Sequence, residues 1–313
     1  MHDLIIIGSG PAGLTASIYA SRYKLSNLVI GKLLGGEITL ASSVENFPGF
    51  IAISGVDLTQ KMSEQVTHLG AEIKAETVGR IEKLDGGGFK VITEEKGNYE
   101  TKTLIVATGS ERRKLGVSGE AEYIGKGVSY CTTCDAPFFR EKTVALIGGS
   151  DAAVSGAVHT AEFAKKIYII YRGEELRAEP IWSEQVKKNP KIEAIYTTNL
   201  KEIKGDGTKV TGVTLDNPYN GSTELVLDGV FIEIGGVPGT SLLTPLGVEL
   251  DGAGYVKVTP EMETNIKGLF AAGDFTTASA ALQQMITACA QGAAAAASSY
   301  KLLKQEKAPR IFG

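Results

Sequence analysis

The segment Asp3-Leu-Ile-Ile-Ile-Gly-Ser-Gly-Pro-Ala-Gly13 decides the fold, because four apolar residues lead directly into three glycines with GxGxxG spacing. The apolar run is typical of a buried strand, and the Ala-rich stretch after it, to about Tyr23, is typical of a helix. In such a turn the first glycine permits a tight bend, the second lets backbone N–H groups approach a pyrophosphate, and the third lets the helix pack closely on the strand. Gly8, Gly10 and Gly13 fill these positions, so the segment predicts a βαβ dinucleotide-binding unit.

The same order of elements returns between residues 143 and 171. A strand, Thr143-Val-Ala-Leu-Ile147, leads into the turn Gly148-Gly-Ser-Asp-Ala-Ala153, and a helix and a second strand follow. Ser150 stands where the second glycine belongs, and an alanine ends the motif. Two βαβ units predict an α/β protein with two Rossmann-like dinucleotide-binding domains, each a three-layer domain with a parallel sheet and a small antiparallel sheet.

The tail of the chain returns to the first domain. The segment Gly268-Leu-Phe-Ala-Ala-Gly-Asp274 is typical of a strand and a glycine turn, and a long helix follows from about Leu282. We therefore expect a discontinuous first domain, residues 1–110 and 241–313, with a second domain of residues 111–240 inserted into it.

Two arginines follow the second strand of the second unit. At this edge of a sheet, Arg172 and Arg177 would be placed to hold a ribose 2′-phosphate, and the alternative is a pair of solvated surface arginines. Their placement favours NADP as the nucleotide of this unit. The first unit reads Ile30-Gly-Lys32 where an NAD site carries an acidic residue, which argues against a plain NAD site there.

The most specific segment of the chain is Tyr130-Cys-Thr-Thr-Cys-Asp-Ala-Pro-Phe-Phe139. A CxxC pair can form a disulfide and exchange it through one reactive thiolate. A zinc site would need a second pair of ligands, and the three histidines stand in no ligand-like spacing, so the pattern favours redox chemistry over a metal site. Asp135, next to the second cysteine, is either the proton donor for a departing thiolate or a helix-capping or turn residue before Pro137, and the spacing favours neither.

The composition is typical of a globular enzyme and argues against several other classes of protein. Of 313 residues, 43% are hydrophobic and 22% are charged, and a net charge of −4 gives no electrostatic reason to expect nucleic acid. The apolar start is too short to span a membrane and runs straight into the glycine turn, unlike a signal segment. Three cysteines are too few for a secreted disulfide framework, so we expect a cytoplasmic protein.

Together these motifs resemble those of the low-molecular-weight thioredoxin reductases, a class of FAD-dependent pyridine nucleotide-disulfide oxidoreductases, over nearly the whole chain. They come in the family's order, with the CxxC just before the second unit and not after the first. The resemblance implies FAD in the first domain, NADPH in the second, a homodimer, and a thioredoxin-like or glutaredoxin-like protein as substrate. It also implies a Cys131–Cys134 disulfide, with Cys134 facing the flavin, Cys131 attacking the partner's disulfide, and Asp135 supplying a proton.

The family's binding residues carry over wherever this chain matches the motifs. For FAD they are Gly8, Gly10, Pro11, Ala12, Gly13, Gly36, Glu37, Asn46, Ala107, Thr108, Gly109, Gly273, Asp274, Gln284 and Met285. For the nicotinamide nucleotide they are Gly149, Ser150, Asp151, Ala152, Arg172 and Arg177. The resemblance implies no metal ligand.

Two departures from the family leave the electron donor open. The family reads HRRxxxR after the second strand, whereas this chain has Gly173 in place of the middle cation, and Ser150 replaces a glycine of the second turn. The alternatives are a reductase of the same fold that uses NADH, ferredoxin or a deazaflavin, a thiol oxidase that passes electrons to oxygen, and a non-enzymatic flavin-binding sensor. In addition, Glu37 stands where the family has glutamine, which places a carboxylate near the expected flavin.

Overall fold

The computed structural model describes three stretches of the chain, residues 1–41, 43–279 and 282–304. Residues 42, 280–281 and 305–313, which the sequence analysis placed in the first domain, lie outside the described residues. The predicted site residues all belong to the described stretches. Among the helices described, none is long and apolar enough to cross a membrane.

The chain folds into two compact units. The first is formed by Met1–Glu111 together with Val237–Gly313, and the second by Arg112–Gly236. Each unit has parallel strands flanked by helices and a smaller set of antiparallel strands. The predicted α/β class with two Rossmann-like units is therefore confirmed.

The bounds of the strands and helices follow from the backbone hydrogen bonds. In chain order they are β1 (His2–Ile7), α1 (Pro11–Arg22), β2 (Asn27–Ile30), α2 (Gly55–His68), β3 (Glu72–Lys74), β4 (Val78–Lys83), β5 (Phe89–Thr93), β6 (Asn98–Val106), β7 (Ser110–Arg112), β8 (Val128–Ser129), α3 (Thr132–Asp135), β9 (Thr143–Ile147), α4 (Asp151–Thr160), β10 (Lys166–Ile170), α5 (Pro180–Lys188), β11 (Ile192–Ile195), β12 (Leu200–Gly205), β13 (Val210–Tyr219), β14 (Ser222–Val226), β15 (Gly229–Ile232), β16 (Gly236–Pro238), β17 (Leu269–Ala271) and α6 (Met285–Lys304).

Strand β6 organises the first unit, because it takes part in both a parallel and an antiparallel arrangement. Its second half pairs in parallel with β1 and β17, and β2 and β3 extend this sheet beyond β1. Its first half pairs antiparallel with β5, which in turn pairs with β4. Ile7 and Ala271 both pair with Val106, so β1 and β17 end at the same edge of the sheet. The turns that follow these two strands therefore lie at one edge.

The second unit has a five-stranded parallel sheet, in the order β11-β10-β9-β15-β8, and a three-stranded antiparallel sheet formed by β12, β13 and β14. Strand β9 leads into the second glycine turn at Gly148, and β10 ends directly before Tyr171. Because β9 and β10 are parallel neighbours, the turn and Tyr171 lie at the same edge of this sheet.

Helices α1 and α6 pack closely because small residues line their contact. Gly292 of α6 lies against Ala12 of α1, and a Cβ atom at position 292 would overlap the carbonyl oxygen of Ala12. Ala295 and Ala296 are fully buried in the same cluster. Helix α6 therefore fixes the position of the first turn of α1.

Replacing Gly292 with Ala should lower the free energy of unfolding by up to about 2 kcal/mol, because an overpacking cost of about 1–3 kcal/mol exceeds the roughly 1 kcal/mol by which alanine favours a helix over glycine. Urea unfolding of the purified protein measures the change. The matched control is Gly252→Ala, where an added Cβ meets no atom within 4 Å. Equal midpoints for the two variants would show that α6 does not approach α1 this closely.

Candidate functional site

The first glycine turn joins β1 to α1 and leaves a gap at its second glycine. Gly8 has a φ of +110°, and Cβ atoms at Gly8 and Gly13 would overlap the carbonyl oxygens of Ala107 and Gly8, so close packing accounts for both glycines. At Gly10 the φ of −80° suits any residue, and an added Cβ would come no closer than 3.9 Å to its neighbours. The open space at Gly10 therefore lies at the N-terminus of α1, where backbone N–H groups attract anions.

Asp274 follows β17 and has one carboxylate oxygen buried without a hydrogen-bond partner among the described residues. That atom is Oδ1. Burial, with a smaller contribution from the charge of Glu37, raises the pKa of Asp274 to about 6. A buried acceptor that makes no hydrogen bond costs about 1–3 kcal/mol. A hydroxyl group of a bound ligand would supply the missing donor and offset this cost.

Two loops predicted to contribute to the site lie beside the first turn. The short 3₁₀ helix Gly36–Leu40 begins close to Gly10, because a Cβ at Gly36 would come within 3.1 Å of the Gly10 Cα. Asn46 donates from Nδ2 to Oε1 of Gln284 at 3.2 Å. This bond joins the loop before α2 to the segment that leads into α6.

The ends of α1 and α6 provide further residues predicted for FAD. Pro11 is the first residue of α1, where a missing N–H costs nothing, and Ala12 is buried beneath α6. Met285 is the first residue of α6 and is also buried. Gly273 donates its N–H to Oε1 of Gln291 at 2.7 Å, which anchors the loop after β17 to α6.

Residues 107–109 follow β6 at the same edge of the sheet. Ala107 donates its N–H to the carbonyl oxygen of Ile7 at 2.7 Å, and Thr108 donates from Oγ1 to the carbonyl oxygen of Gly239 at 2.9 Å. Gly109 has a φ of +65°, which favours glycine. The structure therefore gathers the residues predicted for FAD around one edge of the first unit's sheet.

Gln291 is a residue of this region that the sequence analysis missed. Its side chain is buried, accepts the N–H of Gly273 and the hydroxyl of Thr276, and donates from Nε2 to Oγ of Ser279 at 2.8 Å. A polar residue within an otherwise Ala-rich helix was the available signal. Gln291 holds the loop that carries Asp274.

The two cysteines of the CxxC segment form a disulfide, with their Cα atoms 5.3 Å apart. The N–H of Cys134 donates to Sγ of Cys131 at 3.0 Å, and the N–H of Cys131 donates to Oγ of Ser129 at 3.0 Å. Cys131 is half-buried, whereas Cys134 is exposed. Because an N–H directed at sulfur stabilises negative charge there, Cys131 is the better placed of the two to carry a thiolate after reduction.

Asp135 is the last residue of α3 and directly follows Cys134. It precedes the short 3₁₀ helix Ala136–Phe139, and its side chain makes no capping hydrogen bond to that helix. Its backbone N–H donates to the carbonyl oxygen of Cys131 at 3.1 Å. Of the two roles that the sequence left open for Asp135, capping finds no support in the structure.

The second glycine turn has nearly the same backbone conformation as the first, but it lacks the open space found at Gly10. Ser150 precedes α4 with a φ of −97° and a ψ of −179°, close to the −80° and −175° of Gly10 before α1. Its side chain therefore occupies the position that Gly10 leaves open. Ala152 lies exposed in the first turn of α4.

The other residues predicted for the nicotinamide nucleotide surround this turn. Gly149 is buried, and its carbonyl oxygen accepts the N–H of Arg177 at 2.7 Å. Asp151 accepts the N–H of Glu179 through Oδ1 at 2.6 Å. The side chains of Arg172 and Arg177 are exposed. The segment after β10 is therefore tied to the turn by its backbone, and its two arginines reach solvent.

Comparisons with known proteins agree over nearly the whole chain. The family model described as pyridine nucleotide-disulphide oxidoreductase matches residues 2–292. A thioredoxin reductase from Listeria monocytogenes is 40% identical over 309 residues, which are 98% of this chain and 95% of the relative. The crystal structure of Lactococcus lactis thioredoxin reductase in its FR conformation has a TM-score of 0.92 at 38% identity, and the match covers 98% of this chain and 100% of that one.

A relative with a different electron donor in its name has the same fold. It is a ferredoxin-flavin thioredoxin reductase from Clostridium acetobutylicum, with a TM-score of 0.52 at 34% identity, and the match covers 97% of this chain and 99% of that one. The resemblance to low-molecular-weight thioredoxin reductases that the sequence predicted is confirmed by these matches. The chain belongs to the pyridine nucleotide-disulphide oxidoreductase family.

Proposed function

We propose that this protein is a FAD-dependent thioredoxin-disulfide reductase, which passes electrons from a reduced pyridine nucleotide to the disulfide of a thioredoxin-like or glutaredoxin-like protein. The observation that carries the proposal is the Cys131–Cys134 disulfide, closed over one turn of helix with a hydrogen-bond donor directed at Cys131 and a carboxyl group beside Cys134. A disulfide held in this way can be reduced and re-formed with little movement of the backbone.

The first unit fits FAD at two separate points. The open space at Gly10, at the N-terminus of α1, suits a pyrophosphate that accepts from backbone N–H groups. The unpaired Oδ1 of Asp274 suits a ribityl or ribose hydroxyl as its donor. Since β1 and β17 end at the same edge, one extended dinucleotide can satisfy both points. The chemistry that FAD supplies when bound is the transfer of an electron pair from the reduced nucleotide to the disulfide.

The residues of the CxxC segment carry out the thiol steps. Reduction breaks the Cys131–Cys134 bond and leaves a thiolate on Cys131, stabilised by the N–H of Cys134, while Asp135 delivers a proton to the other sulfur. The Cys131 thiolate attacks the partner's disulfide and releases one of its sulfurs as a thiol. Asp135 takes the proton back from Cys134, and the resulting Cys134 thiolate attacks Cys131. This re-forms the internal disulfide and releases the partner's second sulfur, which is protonated as it leaves, so both cysteines of the partner are reduced.

A direct test uses protein whose flavin has been reduced with dithionite under anaerobic conditions. Mixed with oxidised thioredoxin, it should produce a pair of thioredoxin thiols for each flavin reoxidised. A thiol oxidase would instead consume oxygen when supplied with dithiols. From the resemblance we also infer a homodimer and a reducing cytoplasmic setting, which gel filtration with light scattering and cell fractionation would test.

Replacing Asp274 with Asn should weaken FAD binding by about tenfold or more, because a charge-assisted hydrogen bond to a ligand hydroxyl is lost. In the FAD-free protein, by contrast, the same substitution should increase the stability against unfolding. The folded pKa of Asp274, about 6, exceeds the roughly 3.9 of an unfolded chain, so the ionised carboxyl destabilises the protein as pH rises between these values. Thermal unfolding should therefore show Asp274→Asn to be more stable than wild type above pH about 6 and equal to it below pH about 4.

The matched control for this substitution is Asp85→Asn, which makes the same change of charge at an exposed turn of the same unit. It should alter neither FAD binding, followed by titration of the FAD-free protein, nor the pH dependence of unfolding. If Asp274→Asn bound FAD with wild-type affinity, Asp274 would not be part of the flavin site.

Replacing either cysteine of the disulfide with Ser should abolish turnover with thioredoxin, and the two variants should differ in what they trap. Cys134→Ser keeps the Cys131 thiol and should accumulate a mixed disulfide with thioredoxin, because the enzyme thiol that resolves it in the forward direction is absent. Cys131→Ser should not. Non-reducing gels measure the adduct, and Cys289→Ala is the control that should retain turnover. An adduct formed only by Cys131→Ser would reverse the assigned order of the two sulfurs.

Replacing Asp135 with Asn should slow thiol release by roughly 10²–10⁴-fold, the range of general acid catalysis. Stopped-flow absorbance of flavin reoxidation by the disulfide measures it. The matched control is Glu141→Gln, an exposed carboxyl shortly after the redox segment. Turnover at the wild-type rate in Asp135→Asn would show that Asp135 has no part in proton delivery.

A further inference from the structure

The side chain of Tyr171 is packed between two glycines of the second unit. The residue is 9% exposed. A Cβ atom at Gly149 would lie 2.6 Å from the ring atoms Cγ and Cδ1, and a Cβ at Gly173 would lie 2.5 Å from Cε1. Neither glycine has a positive φ, so the ring, and not the backbone conformation, is what excludes a side chain at both positions. Glycine at positions 149 and 173 is therefore what leaves room for the Tyr171 ring in this position.

The ring occupies the place where a dinucleotide-binding unit reads the ribose. Tyr171 directly follows β10, the second strand of the unit, at the edge where the glycine turn lies. The side chain that recognises the ribose 2′ position comes from this end of the strand, about 20 residues after the turn. Here that position carries an uncharged ring packed down on Gly149, which offers neither a carboxylate for a 2′-hydroxyl nor a cation for a 2′-phosphate.

The same ring explains the glycine that departs from the family pattern. An arginine at position 173 would begin its side chain within 2.5 Å of Cε1 and 2.8 Å of Cζ of Tyr171. The middle cation is therefore incompatible with the ring as it lies. A side chain at position 173 and the Tyr171 ring would therefore compete for the same space.

The remaining charges of the segment do not replace the missing cation. Arg177 has its backbone N–H on the Gly149 carbonyl oxygen, and its guanidinium carbon lies 6.0 Å from the centre of the Tyr171 ring. Between residues 172 and 179 two arginines stand against three glutamates, so the segment has a net charge of −1. A dianionic 2′-phosphate would gain little from such a segment, since like charges oppose it at short range.

We propose, on the basis of the proposed function, that Tyr171 determines the nucleotide specificity of the second unit and makes the site insensitive to the 2′-phosphate, so that NADPH is not preferred to NADH. This inference replaces the preference for NADP that Arg172 and Arg177 suggested in the sequence. It concerns the donor alone and leaves the disulfide chemistry unchanged.

The first experiment compares the binding of NADP⁺ and NAD⁺ to the FAD-loaded protein by calorimetry. We expect dissociation constants within about threefold of each other, and the same ratio in Arg172→Gln and Arg177→Gln. These exposed arginines can be replaced without disturbing the core. Tighter binding of NADP⁺ by about tenfold or more, lost in either variant, would overturn the proposal, because it would show a 2′-phosphate held by these side chains.

The second experiment tests whether the Tyr171 ring excludes a side chain at position 173. Gly173→Arg alone should gain no selectivity for NADP⁺, because its Cβ meets the ring, whereas Tyr171→Ser with Gly173→Arg should gain about tenfold or more through a guanidinium–phosphate pair. Tyr171→Ser alone is the matched control, and Tyr171→Phe, which keeps the ring, should leave the wild-type ratio. Full selectivity in Gly173→Arg alone would overturn the role of Tyr171.

The two proposals fail in different ways. Thioredoxin reduction by dithionite-reduced protein does not involve the nucleotide site, so its success supports the reductase function whatever the nucleotides do. Binding of neither NADP⁺ nor NAD⁺ at millimolar concentration, together with working thioredoxin reduction, would overturn the inference about Tyr171 and the pyridine-nucleotide donor, while the transfer of electrons from FAD to thioredoxin stands. Failure of thioredoxin reduction with normal nucleotide binding would overturn only the reductase function.

Discussion

The close approach of α1 to the turn before it is the constraint on which the first unit depends. The bare Cα of Gly13 allows the helix to begin against the carbonyl oxygen of Gly8, and Gly292 of α6 holds the same turn from the other side through Ala12. The first N–H groups of α1 are thereby fixed at the edge where β1 and β17 end. The N-terminus of α1 and the acceptor on Asp274 therefore lie at one edge of the sheet, as the proposed FAD site requires.

The redox segment depends on no such long-range contact. Both sulfurs, the N–H directed at Cys131 and the carboxyl of Asp135 belong to five consecutive residues. A hydrogen bond to a thiolate and a nearby acid both act locally, so the roles proposed for the two sulfurs rest on the geometry of one turn of helix. The rest of the second unit supplies the support beneath it, since Thr132 is buried against Gly156 of α4.

This difference explains what could be predicted from the sequence. The glycine turns, the strands that lead into them and the CxxC pair are patterns of neighbouring residues, and the structure places them as expected. Two features could not be predicted: the side chain of Asp135 makes no capping hydrogen bond, and the side-chain amide of Gln291 anchors the loop after β17. Both depend on contacts that form only in the folded protein, and the spacing of residues along the chain does not encode them. The same holds for Tyr171 and Gly149, because no local pattern says that a ring after one strand will lie on the turn after another.

In both units the residue after the second strand packs against a residue of the glycine turn, but the side chain comes from opposite partners of this contact. The difference affects which nucleotide each unit can bind. In the first, the residue after the second strand is Gly31, and an added Cβ there would lie 2.5 Å from Oγ of Ser9 in the turn. In the second, the residue after the strand is Tyr171 and the turn residue beneath it is Gly149. The first unit thus has its side chain in the turn, at Ser9, whereas the second unit has its side chain at the end of the strand, at Tyr171. The end of the strand is where a dinucleotide-binding unit recognises the ribose. A side chain committed to that contact is not available to recognise a 2′-phosphate, so the backbone of a dinucleotide site is kept while its specificity for that group is lost.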